Sequence, residues 1–238
     1  MAFTLDQIVP WGRTYDEYRR MFALSDDDLS RRILGCGDGP ASFNAEASAR
    51  GARVVSVDPI YAFGRAELAK RFEEVRAEVL RQAELNRGEF VWDYFKTVEA
   101  LGVERGRAMA GFLADFAAGK RAGRYVVGEL PRLPLADGAC DLALVSHLLF
   151  LYSRQLDLDF HRRAIIELLR VAREVRVFPL LQLGATPSPH VEPLVAEFGR
   201  SHRVEIVPVD YEFQRGGNRM LRIVRGAGRG AADGPKRD

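Results

Sequence analysis

The sequence predicts an α/β fold: a doubly wound sheet of seven strands that ends in an antiparallel hairpin and carries a helical insertion between strands 2 and 3. Three observations carry this expectation. Residues 31–59, RRILGCGDGPASFNAEASARGARVVSVDP, run from an apolar stretch through a glycine-rich turn and a helical segment to a β-branched stretch, which is a βαβ unit. Strand and helix signals then keep alternating through about residue 199, the pattern of a mainly parallel sheet. Finally, residues 203–211 and 219–224 read as two strands joined through EFQRGG, with Gly216 and Gly217 available for a tight hairpin.

The elements follow in chain order. Thr14 and Glu17 form a capping box, so a helix carrying Tyr15, Tyr18, Met21 and Phe22 begins there, and Ser25 with Asp28 offers a second cap. After the glycine turn, Pro40 is pre-set for a first helical turn, and the helix spans about 40–50 before stopping at Gly51. Val54, Val55 and Val57 suit a strand buried on both faces. Residues 62–124 form an insertion of about sixty residues where a crossover needs only about a dozen. Leu68, Phe72, Val75 and Val79, then Phe90, Tyr94 and Val98, then Met109, Phe112 and Phe116 fall at helical spacing, punctuated by Gly88 and Gly102, so three helices are expected.

Residues 125–128 read as the third strand and 141–145 as the fourth, closed by Ser146 and His147. Asp157 and Asp159 open a helix whose apolar face includes Phe160, Ala164 and Leu168, and Arg170 and Arg173 near its end complement the helix dipole. Residues 174–181 supply a fifth strand, and GATPSPHVEP is a turn-rich loop leading into a helix through about residue 199. Residues 1–225 are read as one domain and residues 226–238, rich in Gly, Ala and charge, as a disordered tail.

Composition narrows the function. Lys and Arg number 35 against 33 Asp and Glu, a net charge of +2, so no global charge argues for nucleic acid or an anionic membrane. Within residues 64–124 the balance is 12 basic to 10 acidic, the mixture of a solvated helical face. Cys36 and Cys140 are too few for a disulfide framework and lack metal-ligand spacing; Cys36 is read as a small residue in the turn. The opening MAFTLDQIVPWG has no basic stretch leading into an apolar one, and no apolar run reaches bilayer-spanning length. A cytoplasmic location is expected.

Gly35, Gly37 and Gly39 let a ligand approach the backbone, and Asp58 ends the second strand nineteen residues after Gly39, about the spacing at which an acid holds ribose hydroxyls. An adenosine-containing ligand follows; a glycine turn that merely closes a strand is the alternative. A dinucleotide fingerprint needs a third glycine at position 40 or 42, and these are Pro40 and Ser42.

This G-x-G-x-G turn resembles motif I of the class I S-adenosylmethionine-dependent methyltransferases, a Rossmann-like family. GELPRLPLADGACDLALVSHLLFLY resembles the family's passage from third to fourth strand, and GCGDGPASFNAE, VDPIY and SHLLFLY look like a bacterial methyltransferase-like group without an assigned substrate. One position departs: the family's acid two residues before the first glycine is Ile33 here, so an acid facing the cofactor's ammonium has to come from elsewhere. The resemblance implies that Gly35, Cys36, Gly37 and Gly39 pass the cofactor's amino-acid portion, that Asp58 takes the ribose, that Ile60 lies against adenine, and that Glu129 receives the adenine amino group. Ser146 and His147 then lie beside the methyl donor and acceptor.

His147 is the first candidate base, since imidazole titrates near neutral pH, and His190 in the loop after the fifth strand is the second. Each has a purely structural alternative. Absence of an Asn/Asp-Pro-Pro-Tyr segment lowers base methylation, so the expected acceptor is an unidentified small molecule. The insertion can dock on the sheet, line a substrate pocket or build a homodimer interface. A non-catalytic S-adenosylmethionine-binding interaction protein and a nicotinamide-dependent oxidoreductase remain the alternatives.

Overall fold

Five short strands, each too apolar to leave uncovered, pair side by side in parallel in the computed structural model, which describes residues 11–226. They are β1 (Arg32–Cys36), β2 (Arg53–Val57), β3 (Tyr125–Val126), β4 (Leu142–Ser146) and β5 (Glu174–Phe178). The last two sheet strands, β8 (Arg203–Pro208) and β9 (Arg219–Val224), pair antiparallel, and β9 also runs antiparallel to β5. The resulting order is β3-β2-β1-β4-β5-β9-β8. This is the predicted doubly wound sheet of seven strands with its terminal hairpin.

Alternation along each strand divides the side chains between two faces. Leu34, Cys36, Val57, Ala143, Val145, Val175 and Val177 face α6 (Leu158–Val171) and α7 (Val191–Phe198) through Ile165, Leu168 and Leu194. Ile33, Val54, Leu142 and Leu144 face α1 (Tyr15–Met21) and α3 (Phe43–Ala49) through Tyr18, Phe22, Phe43 and Ala47. Both expected capping boxes form: Glu17 accepts from the Thr14 amide at the start of α1, and Asp28 from the Ser25 amide at the start of α2 (Asp26–Ser30). Asp157 caps α6 by accepting from the Phe160 amide at 2.7 Å. Tyr15 and Tyr18 both stack on Phe43 of α3, Tyr18 at 4.3 Å between ring centres.

Three expectations need correction. The helix after the glycine turn starts at Phe43 rather than Pro40, because residues 40–42 instead meet the N-terminal segment, where the Ser42 amide donates to the Arg13 carbonyl at 3.1 Å. Its end is as expected, with Gly51 at φ +89°. The insertion holds two long helices, α4 (Arg65–Leu85) and α5 (Val98–Arg121), not three. The spacing of Phe90, Tyr94 and Val98 serves a loop: Phe90 bridges to Gln214, stacks on Phe213 at 4.7 Å, and is followed by a Val91 amide donating to the Phe213 carbonyl. Gly102 lies inside α5, where a Cβ would come within 2.9 Å of Leu80, so it permits helix packing rather than ending a helix. The fifth strand stops at Phe178 before Pro179, and β6 (Leu181–Gln182) pairs instead with β7 (Thr186–Pro187) in a small separate hairpin. From residue 227 onward, the expected tail lies outside the described residues. Among the described residues no helix is long and apolar enough to cross a membrane.

The insertion is tied to α1 by a fully buried ion pair. Arg105 of α5 donates to both carboxylate oxygens of Glu17 at 2.6 Å and to the Gly12 carbonyl, while the Tyr211 hydroxyl donates to the same carboxylate at 2.7 Å. Burial pushes the Glu17 carboxyl up, but the Arg105 charge and hydrogen bonds outweigh it and hold it at about 2. Glu17→Ala strands the Arg105 charge and is expected to lower stability by about 3–5 kcal/mol in a denaturant melt; a loss below about 1 kcal/mol would contradict the linking role.

Candidate functional site

Parallel strands put their carboxyl ends on one edge of the sheet, and the crevice opens where the strand order reverses, here between β1 and β4. A cavity of about 310 Å³ lies at that point. Cys36, Gly37, Asp38 and Gly39 line it from the first turn, Asp58 and Ile60 from the end of β2, Glu129 from the segment after β3, and Ser146 and His147 from the end of β4. Register explains the convergence, since Cys36 pairs with both Val57 and Val145 and so brings three strand ends level.

The turn is built on its glycines. Gly37 has φ +68°, and a Cβ there would meet Leu148 at 2.4 Å. Gly35 leaves space for the side chain of Asp38, which folds back over it; a Cβ at Gly35 would lie 1.8 Å from Asp38 Oδ2. Gly35 therefore contributes by accommodating Asp38 and is not itself among the lining residues. The Asp38 carboxylate accepts from the Tyr18 hydroxyl and from the Ser56 hydroxyl, each at 2.6 Å. Burial raises its pKa to about 6, against the lowering effect of both hydroxyls, and the neighbouring Asp58 adds to the rise.

Asp58 accepts the Gly39 amide at 2.8 Å on one oxygen and the Ile60 amide at 2.9 Å on the other. It thus braces the glycine turn and caps the short 3₁₀ helix Pro59–Ala62 at once. Each carboxylate oxygen keeps a second lone pair for a ligand. Burial again dominates and raises this carboxyl to about 6, while the two amides oppose the shift. Two buried carboxyls, both with raised pKa, line one cleft, and such groups cluster at functional sites.

Ser146 and His147 meet at the far wall. The Ser146 hydroxyl lies 2.9 Å from His147 Nδ1, and His147 holds φ +55°, a left-handed conformation that residues other than glycine seldom adopt. Burial, and then the charges of Arg13 and Arg105, depress the imidazole well below its usual pKa, so the ring is neutral and one nitrogen can accept a proton. His190 does not reach this cavity. It sits at the start of α7, with Nε2 3.2 Å from the Ser153 carbonyl and its ring 4.7 Å from that of His161. Among the described residues no cluster of metal-ligating side chains occurs.

Two lining residues carry chemistry that the motif reading leaves out. Asp38 sits inside GCGDG, and its being the single polar residue of the turn was the available signal. Arg13 also lines the cavity, and nothing local in its sequence marks it.

No protein-family model matches the chain. The chain is 34% identical over 224 residues to the uncharacterized protein MJ0045 of Methanocaldococcus jannaschii, covering 93% of this chain and 98% of that protein. The chain belongs to the family of MJ0045. The expected bacterial grouping gains no support from this relative. Among solved structures, the pyocyanin biosynthetic protein PhzM overlaps 89% of the chain at 18% identity with a TM-score of 0.44, and the mitomycin 7-O-methyltransferase MmcR overlaps 89% at 16% identity with a TM-score of 0.47. The chain spans about half the length of each, 54%. The strand order, rather than either overlap, assigns the sheet type of this MJ0045-family protein.

The raised Asp58 carboxyl has a measurable signature. Folded Asp58 keeps its proton to higher pH than the unfolded residue, from 3.8 to about 6, so its contribution to stability falls as pH rises through that window. Relative to Asp58→Asn, the wild type is expected to lose up to about 3 kcal/mol between pH 4 and pH 7 in denaturant melts. A difference that stays flat or grows with pH would show that the carboxyl is not desolvated in this way.

Proposed function

We propose that the protein is a class I S-adenosylmethionine-dependent methyltransferase whose acceptor is a small molecule. The observation that supports this most is that Asp58 and the glycine turn, nineteen residues apart, wall one cavity at the strand-order reversal and are hydrogen-bonded to each other. A glycine turn that only closed a strand would need neither the cavity nor a buried acid against its amide.

The residues present fit the cofactor. Gly37 and Gly39 keep the wall flat for its amino-acid portion, and Asp58 has free lone pairs for two ribose hydroxyls. Ile60 offers an apolar surface, and Glu129 an acceptor, for the adenine end. Asp38 supplies the acid that is missing at Ile33: both belong to the same face of the sheet as Gly35, and Asp38 lines the cavity. When bound, the sulfonium supplies a methyl carbon open to attack along the carbon–sulfur axis. The chain's task is then mainly to align an acceptor atom with that axis, which is worth roughly 7–11 kcal/mol, while a base adds about 10²–10⁴-fold. His147, neutral and held by Ser146, lines the cavity where its ring can accept a hydrogen bond from the acceptor; burial and the Arg13 and Arg105 charges make it a weak base in the free protein, so alignment carries most of the rate. His190, outside the cavity, has no part in this reading.

Isothermal titration calorimetry with S-adenosylhomocysteine tests it. The wild type is expected to bind S-adenosylhomocysteine in preference to NAD, and Asp58→Ala to weaken that binding at least about tenfold, or 1.4 kcal/mol, with a cooperative melt retained. Unchanged affinity in the variant would reject the ribose role of Asp58.

A further inference from the structure

A second, smaller cavity of about 80 Å³ adjoins the first, and Trp11, Arg13 and His147 line both. Its walls are apolar, with Val79 and Leu101 from the insertion helices, Phe90 from the loop between them and Phe213 from the segment before β9. No aspartate or glutamate lines it among the described residues, yet two arginines do, Arg13 and Arg105.

The charges around it do not balance. Arg105 is committed to Glu17, and the Glu17 carboxylate is filled by Arg105, Tyr211 and Thr14. Arg13 donates through Nη1 to the Trp11 carbonyl at 2.6 Å, while its enclosed Nε has no partner and no carboxylate of a described residue lies within 4 Å of the guanidinium. Burial and then the Arg105 charge depress Arg13 to about 10, so the cation is held in a poor environment. Its backbone is anchored where the Arg13 carbonyl accepts the Ser42 amide just beyond the glycine turn, and its guanidinium is held by the bond to the Trp11 carbonyl. A guanidinium carries five N–H donors in a fixed fork, and among the described residues Arg13 spends only the Nη1 bond to Trp11, so donors remain for a carboxylate reached from the cavities it lines.

We infer that the acceptor is a small apolar molecule bearing an acidic group, a carboxylate in class, and that Arg13 is the receptor for that group at the junction of the two cavities. This rests on the methyltransferase reading. At about 80 Å³, roughly half the volume of an engineered cavity that holds benzene, the inner cavity admits only a short alkyl arm or part of a ring. The acidic group is bound, not methylated. A separate nucleophilic atom of the acceptor forms the bond to the methyl carbon as the carbon–sulfur bond breaks with its electron pair left on sulfur, and the proton of that atom passes to His147 once the bound carboxylate offsets the Arg13 charge that disfavours the imidazolium.

The full chain, saturated with S-adenosylhomocysteine, is titrated with paired acids and neutral amides: benzoate and benzamide, phenylacetate and phenylacetamide, isovalerate and isovaleramide. The wild type is expected to prefer each acid at least tenfold, Arg13→Met to lose that preference to within twofold, and Arg13→Lys to retain part of it. Equal binding of acid and amide by the wild type, or a preference that survives in Arg13→Met, overturns the inference. A second arm compares S-adenosylhomocysteine with 5′-methylthioadenosine, which lacks the amino-acid portion. If Arg13→Met loses tenfold for the first and nothing for the second, Arg13 serves the cofactor's carboxylate and the acceptor assignment is overturned. Should the wild type bind no S-adenosylhomocysteine, the methyltransferase reading fails, and the acid series is read on the chain alone. An Arg13-dependent preference there upholds the anion site, and its absence removes it.

Discussion

The hydrogen bond from the Gly39 amide to Asp58 is the joint on which the site depends. It connects the turn after β1 to the end of β2, so two segments that the sequence separates become one wall. The same carboxylate caps the 3₁₀ helix that carries Ile60 and Tyr61, and the Tyr61 hydroxyl returns to donate to the Gly39 carbonyl at 2.9 Å. The turn is thereby gripped through both its amide and its carbonyl. Such bracing comes at the cost of a desolvated carboxyl.

The insertion walls the inner cavity, through Val79, Ala83, Phe90, Leu101 and Arg105. Arg105 reaches from α5 to Glu17 at the start of α1, and the pair meets Tyr211 from the connection before β9, so three distant parts of the chain close around one buried charge pair. Replacing a buried ion pair by apolar groups is often neutral or stabilising, which makes a purely energetic reason for this one weak. Its position offers another reason. It joins α1 to α5, and beside Arg105 it leaves Arg13 lining the inner cavity with no carboxylate of a described residue within 4 Å.

Much of this was legible in the residues. Strand identities, the capping boxes at Thr14 and Ser25 and the hairpin follow from local patterns that tertiary packing reinforces, and the meeting of Gly37, Gly39, Asp58, Ile60, Glu129, Ser146 and His147 at one cavity is what the family resemblance implied. The errors arose where a local pattern serves a distant partner. Phe90 and Tyr94 have helical spacing but pack on Phe213 and Tyr211, more than a hundred residues away. Gly102 looks like punctuation until Leu80 of α4 lies against it. His190 follows the carboxyl end of a strand, yet β6 and β7 carry the chain away before α7 begins. Asp38 and Arg13 lie outside the motif reading for a related reason: Asp38 is placed by Tyr18 and Ser56, about twenty residues to either side, and Arg13 by its place between two cavities, and neither is visible in one dimension.

The central claim is that the turn after β1 and the acid ending β2 together hold a sulfonium nucleoside. A crystal structure of the full chain grown with S-adenosylhomocysteine measures this directly. The account predicts the amino-acid portion along Gly37 and Asp38, the ribose hydroxyls within hydrogen-bonding distance of Asp58, and the adenine between Ile60 and Glu129. Density for the ligand elsewhere, or a clear map at saturating ligand with this cavity free of it, would contradict the account.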